Sequence, residues 1–429
     1  MKPTSQAQRP IFESRAFLVS VFFAILVNIY FRYTALFLSP RFWAEEGYEY
    51  FSRLHGHSLL HALTFVDFGY YNLYANISAY LAAQVPLESA PAITTSLALV
   101  GMLIPAVLIL SSKAPFWCER PLRRWGALAI FLYSPHLPDV WLSSIHSQFF
   151  LGLTTFLILL EDDERNSTAR RWLCRLFLLI GGLSGFLSIF LGPVYFFEWL
   201  KEKKSERAVQ LAILTICALL QIYCLFFMHH TSDGAGARLH LPSWTSIAFI
   251  FATRILAAPL AGIHPANQLA AFLSALDQSG RAVAAVLVWL LALVIGVRLP
   301  RGVEPAYRSR LSLSFVSLFL LSLLGTLAGE NSLLFAGDSH RYFLIPTFVF
   351  YLMTLAGLPR TLQRLSPVHW LCAAVLVIYV SCGLITSSNQ IKRVQHGADW
   401  RREVEKWRKD PQSHLEVWPE WNGDRFINY

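Results

Sequence analysis

Uninterrupted apolar runs of about 17–22 residues recur from one end of this chain to the other, each long enough to cross a hydrocarbon layer about 30 Å thick as a helix. A segment in hydrocarbon must satisfy its own backbone hydrogen bonds, which leaves α-helices or a closed β-barrel. Barrel strands alternate in hydrophobicity residue by residue, and these runs do not. Only 15% of the 429 residues are charged, where a soluble protein carries about a quarter. The mean hydropathy is +0.45. The fold class read from this pattern is all-α, a polytopic membrane protein with about 11 transmembrane helices.

Spans are expected at 16–38, 91–112, 125–134, 145–161, 172–184, 186–200, 208–228, 281–298, 310–328, 341–358 and 367–386. The first is preceded by Lys2, Arg9 and Arg15 but is too long for a cleaved signal and has no small-residue cleavage site, so it reads as a retained signal-anchor. Lysine and arginine mark cytoplasmic connections, and alternate connections carry them: 113–124, 165–175, 201–207, 298–310 and 360–364. The N-terminus is therefore expected inside, with loops 39–90, 135–144, 229–280 and 329–340 outside. An odd span count puts the tail 387–429 outside too. Residues 1–386 then form one polytopic domain, with the external loops 39–90 and 229–280 as its largest extramembrane parts. Gly181, Gly182, Ser184 and Gly185 break the apolar stretch 172–200, predicting a hairpin that turns near Ser184–Gly185. The segment 245–261, interrupted by Arg254 and Pro259, is expected to lie in the interface or re-enter the membrane. Net charge of +9 serves this topology, so no nucleic-acid partner is implied. The six cysteines show no paired loop spacing and read as small apolar packers.

Polar residues with chemical potential gather in the expected external loops. Glu45 and Glu46 follow the first span among Phe42, Trp43, Tyr48, Tyr50 and Phe51; partial desolvation there would raise a carboxylate pKa and favour general-base work. The same residues also fit an amphipathic interfacial helix whose acids face water. Tyr70, Tyr71 and Asn72 offer aromatic faces and hydrogen-bonding tips suited to a sugar, or else an aromatic membrane belt. His57 and His61 share a helical face, but no third metal ligand accompanies them. His146 and Gln148 open an apolar helix, where polar side chains usually turn inward to a cavity. Asp338, His340 and Arg341 open the tenth span. Arg341 can snorkel to headgroups or hold a phosphate through its planar fork of donors. Arg254 is a second phosphate candidate. The tail, with Trp400, Trp407, Trp418 and Trp421, reads as a short helix and an irregular segment on the membrane surface, where Trp418 and Trp421 either cap the site cavity near the substrate entrance or serve as interfacial tryptophans.

These stretches together resemble the GT-C superfamily of glycosyltransferases. The residues concerned are Trp43-Ala44-Glu45-Glu46-Gly47-Tyr48, Gly69-Tyr70-Tyr71-Asn72-Leu73-Tyr74, the Ser144–Phe149 turn, the Gly182–Phe190 hairpin and Asp338-Ser339-His340-Arg341-Tyr342-Phe343. The resemblance implies a cytoplasmic N-terminus, an acidic motif and short helices in the first external loop, and a polyprenyl-phosphate sugar donor. By the same resemblance the enzyme inverts at the anomeric carbon: Glu45 or Glu46 is the base, Arg341, with Arg254, steadies the departing phosphate, and Tyr70, Tyr71, Asn72, His146, Gln148, Asp338 and His340 bind substrate. The pair here is Glu-Glu where the superfamily commonly has an Asp-containing pair, which leaves open which carboxylate acts and whether a divalent metal is needed; no other cofactor is implied. Only about 43 residues follow the spans, favouring a compact bacterial envelope enzyme in the inner membrane that acts on a glycan or lipid acceptor. Two other classes stay in view. A lipid-linked glycan transporter or flippase would need charged residues along a transmembrane path, and the spans hold few. A glycan ligase or polymerase would rest on Arg238, His240 and His264, and an acyltransferase on His146 or His264.

Overall fold

The computed structural model describes residues 14–67, 69–136, 140, 142–228, 242–324, 333–336, 340–359, 366–395, 399–418 and 426–427. Its first half runs through α1 (Arg15–Arg32), α2 (Leu73–Ala82), α3 (Ala90–Ser111), α4 (Pro121–Leu132), α5 (Ser147–Leu159), α6 (Thr168–Gly182), α7 (Gly192–Glu202) and α8 (Ser205–Phe227). The second half continues as α9 (Trp244–Ala261), α10 (Ile263–Ala275), α11 (Gln278–Arg298), α12 (Pro305–Leu324), α13 (Leu344–Ala356), α14 (Pro367–Gln395) and α15 (Trp400–Lys409). A two-stranded antiparallel ribbon, β1 (Leu415–Glu416) with β2 (Phe426–Ile427), follows. Local chemistry sets the starts: Ser14, Asn72, Ser167, Ser243 and Asp277 each accept a backbone N–H from the first turn of the helix they precede.

Among the described residues, six helices are long and apolar enough to cross a membrane: Leu87–Ser111, α8, α9, α11, α12 and Pro367–Ser388. Two shorter helices, α5 and α13, are buried along almost their whole length and form the centre of the bundle. On α11 the opposite holds. Val283, Leu287, Leu290 and Leu293 all point outward, and an apolar helix so exposed is stable only where the surrounding solvent is itself apolar. The chain is accordingly an integral membrane protein.

The count of eleven crossings is not reproduced by helix length. Helices do occupy the other expected positions, but the first breaks at Tyr33 and α4, α5, α6, α7 and α13 are shorter than 18 residues. The interrupted segment 245–261 departs most from expectation, since it belongs to a continuous helix and is one of the six. Its ladder widens into a π-helical turn at Phe251–Ala257, which absorbs Pro259 without breaking the helix. The guanidinium of Arg254 is fully buried and donates to the Leu333 carbonyl at 2.6 Å. Protein rather than lipid surrounds the charge, so the cost that argued against a span is met internally.

Contacts sort the connections into two groups. Arg170 meets Ser111 and Glu161; Arg207 and Arg310 both donate to the Leu159 carbonyl; Arg310 pairs with Glu198 and Glu202; Arg123 pairs with Glu304 and Arg120 reaches the Leu358 carbonyl. The lysine- and arginine-rich connections 113–124, 165–175, 201–207 and 298–310 therefore share one end of the bundle, while 360–364 lies outside the described residues. At the other end sit the described parts of the first long loop, residues 134–136 and 142–146, the turn at 183–185, residues 333–336 and 340, and the tail residues 399–418. The loop carries short helical segments at Glu46–Phe51, Ser52–Leu54, Leu59–Thr64 and Leu87–Ser89, besides α2.

The chain reverses between α6 and α7 at Gly185, whose φ of +112° and ψ of −178° suit glycine alone. A Cβ there would also stand 2.3 Å from Gln148 Oε1. We expect Gly185→Ala to cost about 1–3 kcal/mol, read as a lower unfolding temperature in detergent; an unchanged temperature would mean that the turn relaxes.

Candidate functional site

The acidic motif is held from both sides. Phe42 is fully buried against Phe51 (ring centroids 4.6 Å) and Trp400 (5.0 Å). The tail docks on the same strand-like stretch: Ala44 N–H donates to the Trp418 carbonyl at 2.7 Å and Trp418 N–H to the Phe42 carbonyl at 3.2 Å. The Trp43 and Trp418 rings lie 4.6 Å apart. Gly47 admits this packing, since a Cβ on it would fall 2.6 Å from Val417 Cγ1. Ala44 is bent to φ +34°, and across the site Leu142 has φ +50°. Two of the three non-glycine residues with positive φ among those described thus flank one site, and such strain concentrates where function holds it in place.

The two glutamates differ sharply. Glu46 is 1% exposed. Its Oε1 accepts from Ser144 N at 2.7 Å and Ser144 Oγ at 2.5 Å, and its Oε2 accepts from Trp43 N at 3.1 Å. Burial pushes its carboxyl above the usual pKa, while the hydrogen bonds from Ser144, Trp43 and Thr94 act the other way. It joins the first loop to the 143–147 turn. Glu45 is half-buried, close enough to Tyr50 for its charge to act on that hydroxyl. Glu46→Gln should therefore be a folding defect: every neighbour is a donor, so an amide NH2 must face a backbone N–H. The expected cost is about 1–3 kcal/mol, measured by unfolding in detergent, whereas Glu45→Gln should unfold like the parent.

The Ser144–Glu46 link brings His146 to the same place. Its ring lies 5.9 Å from Trp43, it is buried, and it lies within reach of the charge of Arg341. His146 Nδ1 has no hydrogen-bond partner among the described residues. Gln148 donates to Tyr70 Oη and to the Ile145 carbonyl, both at 3.3 Å. Tyr70 is partly exposed. Arg341 is also partly exposed, its guanidinium 5.4 Å from the Tyr342 ring centroid.

Other expected site residues hold the fold. Asn72 caps α2 by accepting from Ala75 N at 3.2 Å and donates to the Ile145 carbonyl at 3.4 Å. Tyr71 exchanges backbone hydrogen bonds with the Gln221 amide, at 2.9 and 2.8 Å, and its hydroxyl donates to the Leu63 carbonyl at 2.7 Å. Arg254, read from sequence as a phosphate ligand, is enclosed: besides Leu333 it meets His340 Nδ1 at 3.5 Å and the face of Phe343 at 5.2 Å. His340 Nε2 donates to the Pro135 carbonyl at 3.2 Å, and its ring centroid is 4.0 Å from that of His136. Arg254, His340, His136 and Phe343 thus pack against one another inside the bundle. Asp338 lies outside the described residues, as do Arg238, His240 and Trp421. The exposed His264 pairs with Gln268 at 3.1 Å. The His57 and His61 rings stack 4.4 Å apart, and no cluster of three or more metal-binding side chains occurs among the described residues.

Sequence reasoning missed Thr94 and Ser144 as the partners that bury Glu46. Nothing in α3 marks Thr94, whereas Ser144 stands two residues before His146 in a segment already singled out. No family model, curated protein or solved structure matches this chain, so its own residues carry the functional argument.

Proposed function

We propose that the chain is an inverting membrane glycosyltransferase of the GT-C kind, moving a sugar from a polyprenyl-phosphate donor to an envelope glycan or lipid acceptor. The observation that carries this reading is the convergence of three sequence-distant segments, Trp43–Glu46, Ser144–Gln148 and His340–Arg341, at the end of the bundle opposite the lysine- and arginine-rich connections. Glu45 acts as the base, because Glu46 spends both oxygens on Ser144 and Trp43. The acceptor hydroxyl gives its proton to Glu45 and its oxygen attacks the anomeric carbon. The bond from that carbon to the phosphate oxygen breaks, and the electron pair leaves with the polyprenyl phosphate. Arg341 stabilises that developing charge through its donors, and in-line attack inverts the configuration. His146 Nδ1 and the Tyr70–Gln148 pair are positioned to orient sugar hydroxyls.

A membrane-embedded enzyme suits a donor whose lipid cannot leave the bilayer cheaply, at about 0.8 kcal/mol per buried CH₂. In this reading the membrane is a bacterial inner membrane, the N-terminus is cytoplasmic, and the site and tail face outward. In this reading the shorter helices α1, α4, α5, α6, α7 and α13 join α3, α8, α11, α12 and α14 to make the expected eleven crossings, and α9, though long and apolar enough to cross, packs in the bundle without adding one. The test is transfer of labelled sugar from a panel of polyprenyl-phosphate donors to lipid and glycan acceptors by the purified protein in proteoliposomes. Time-dependent, donor-specific product supports the reading. Movement of intact labelled donor between leaflets without product would replace it with the flippase reading.

A further inference from the structure

A groove at the lysine- and arginine-rich end has no part in this chemistry. It lies between α7, the end of α11 and the start of α12, with a volume of about 540 Å³. Its upper wall is apolar, formed by Phe197, Val297 and Leu313, and Gly296 leaves an opening in it: no atom would meet a Cβ at that position within 4 Å. Its lower rim carries Lys201, Arg301 and Arg308, all exposed, with the hydroxyls of Ser309 and Ser312 between them. No aspartate or glutamate is among the lining residues. Of the carboxylates near it, Glu198 and Glu202 pair with Arg310, and Glu304 pairs with Arg120 and Arg123. Glu198 also accepts from Ser309 at 2.6 Å and stands 3.9 Å from Lys201, so its charge is shared between Arg310 and the rim.

We infer that this groove binds one anionic phospholipid, its phosphate between Lys201, Arg301 and Arg308 and its acyl chains along the outward apolar faces of α7 and α11. Charge complementarity selects the headgroup, because three cationic side chains line one groove that has no acidic lining residue. The outward face selects a lipid over a soluble anion. Phe196, Phe197, Val294 and Val297 are all exposed beside the cations, offering chains a surface that inorganic phosphate cannot use.

The experiment is native mass spectrometry of the full-length protein in detergent, titrated in parallel with phosphatidylglycerol and phosphatidylcholine. One phosphatidylglycerol should be retained in preference to phosphatidylcholine, and millimolar inorganic phosphate should not displace it. Gly296→Leu fills the opening without altering charge and should abolish the preference. Lys201→Gln and Arg301→Gln should each weaken retention about fivefold, while Lys113→Gln, an exposed charge outside the groove lining, should leave it unchanged. Equal retention of both lipids by the parent protein, or equal losses in Lys113→Gln and Arg301→Gln, would reduce the cations to ordinary snorkelling and overturn the site. Displacement by inorganic phosphate would overturn the lipid as its ligand. An unfolding temperature matching the parent identifies the variants that count. Should Gly296→Leu misfold, the charge variants still decide.

Discussion

Glu45→Gln should lower sugar transfer about 10²–10⁴-fold, the usual scale for a positioned general base, with no change in unfolding temperature. Arg341→Ala should cost about 10²–10³-fold, as for removing one donor that stabilises developing charge. Both residues are partly exposed, so either substitution should disturb folding less than one at the fully buried Glu46. The assay is transfer from polyprenyl-phosphate donors in membranes with matched expression, and the comparison with Glu46 gives it its power. Glu46→Gln should lose activity only in proportion to the protein lost to misfolding, because its two oxygens serve Ser144 and Trp43. Full transfer in Glu45→Gln and Arg341→Ala would remove both from the mechanism. Intact folding with lost transfer in Glu46→Gln alone would move the base to Glu46, which would then require the Ser144 turn to open during turnover.

The helical class was legible because long apolar runs report directly on an apolar solvent, and the four described lysine- and arginine-rich connections do gather at one end. Crossing number was less legible. Length in sequence does not tell a lipid-facing helix such as α11 from a short central one such as α13, since both are simply apolar. Arg254 shows the same limit at one residue. A charge in an apolar stretch was read as an interruption, yet the Leu333 carbonyl and His340, nearly eighty residues and more downstream, accommodate it. Sequence spacing carries no information about such partners. At the site, residue type leaves each residue's contacts open. Glu45 and Glu46 are chemically identical neighbours, and only the donors of Ser144 and the Trp43 backbone separate them. Asn72 likewise reads as a sugar ligand in a Gly-Tyr-Tyr-Asn run until its amide is seen capping α2. Tertiary context sets these roles, and no local pattern reports it.

Arg310→Met should destabilise the protein by about 3–5 kcal/mol, the usual cost of stripping one partner from a buried ion pair. Glu198 is fully buried and depends on Arg310 Nε at 3.0 Å; its remaining neighbours are Ser309 Oγ at 2.6 Å and the more distant Lys201 at 3.9 Å. Without the arginine its carboxylate must protonate or draw in water. The double variant Glu198→Gln/Arg310→Met removes the fully buried stranded charge and should recover part of the loss, while Glu202 loses Arg310 in both and keeps Lys204 at 3.8 Å. Recovery should stop short of the parent because Arg310 also donates to the Leu159 carbonyl at 3.1 Å, which methionine leaves without that donor. A cycle of parent, two single variants and the double, unfolded in mixed micelles, measures the coupling directly. Additive losses would mean that the pair is solvated in the membrane-bound protein and contributes little. The pair ties α7 and α12 together, with Leu159 at the end of the central α5, and α5 begins one residue after His146. Strong coupling would therefore mean that the rigid end of the bundle helps to hold the register of the helix that presents His146 and Gln148 at the other.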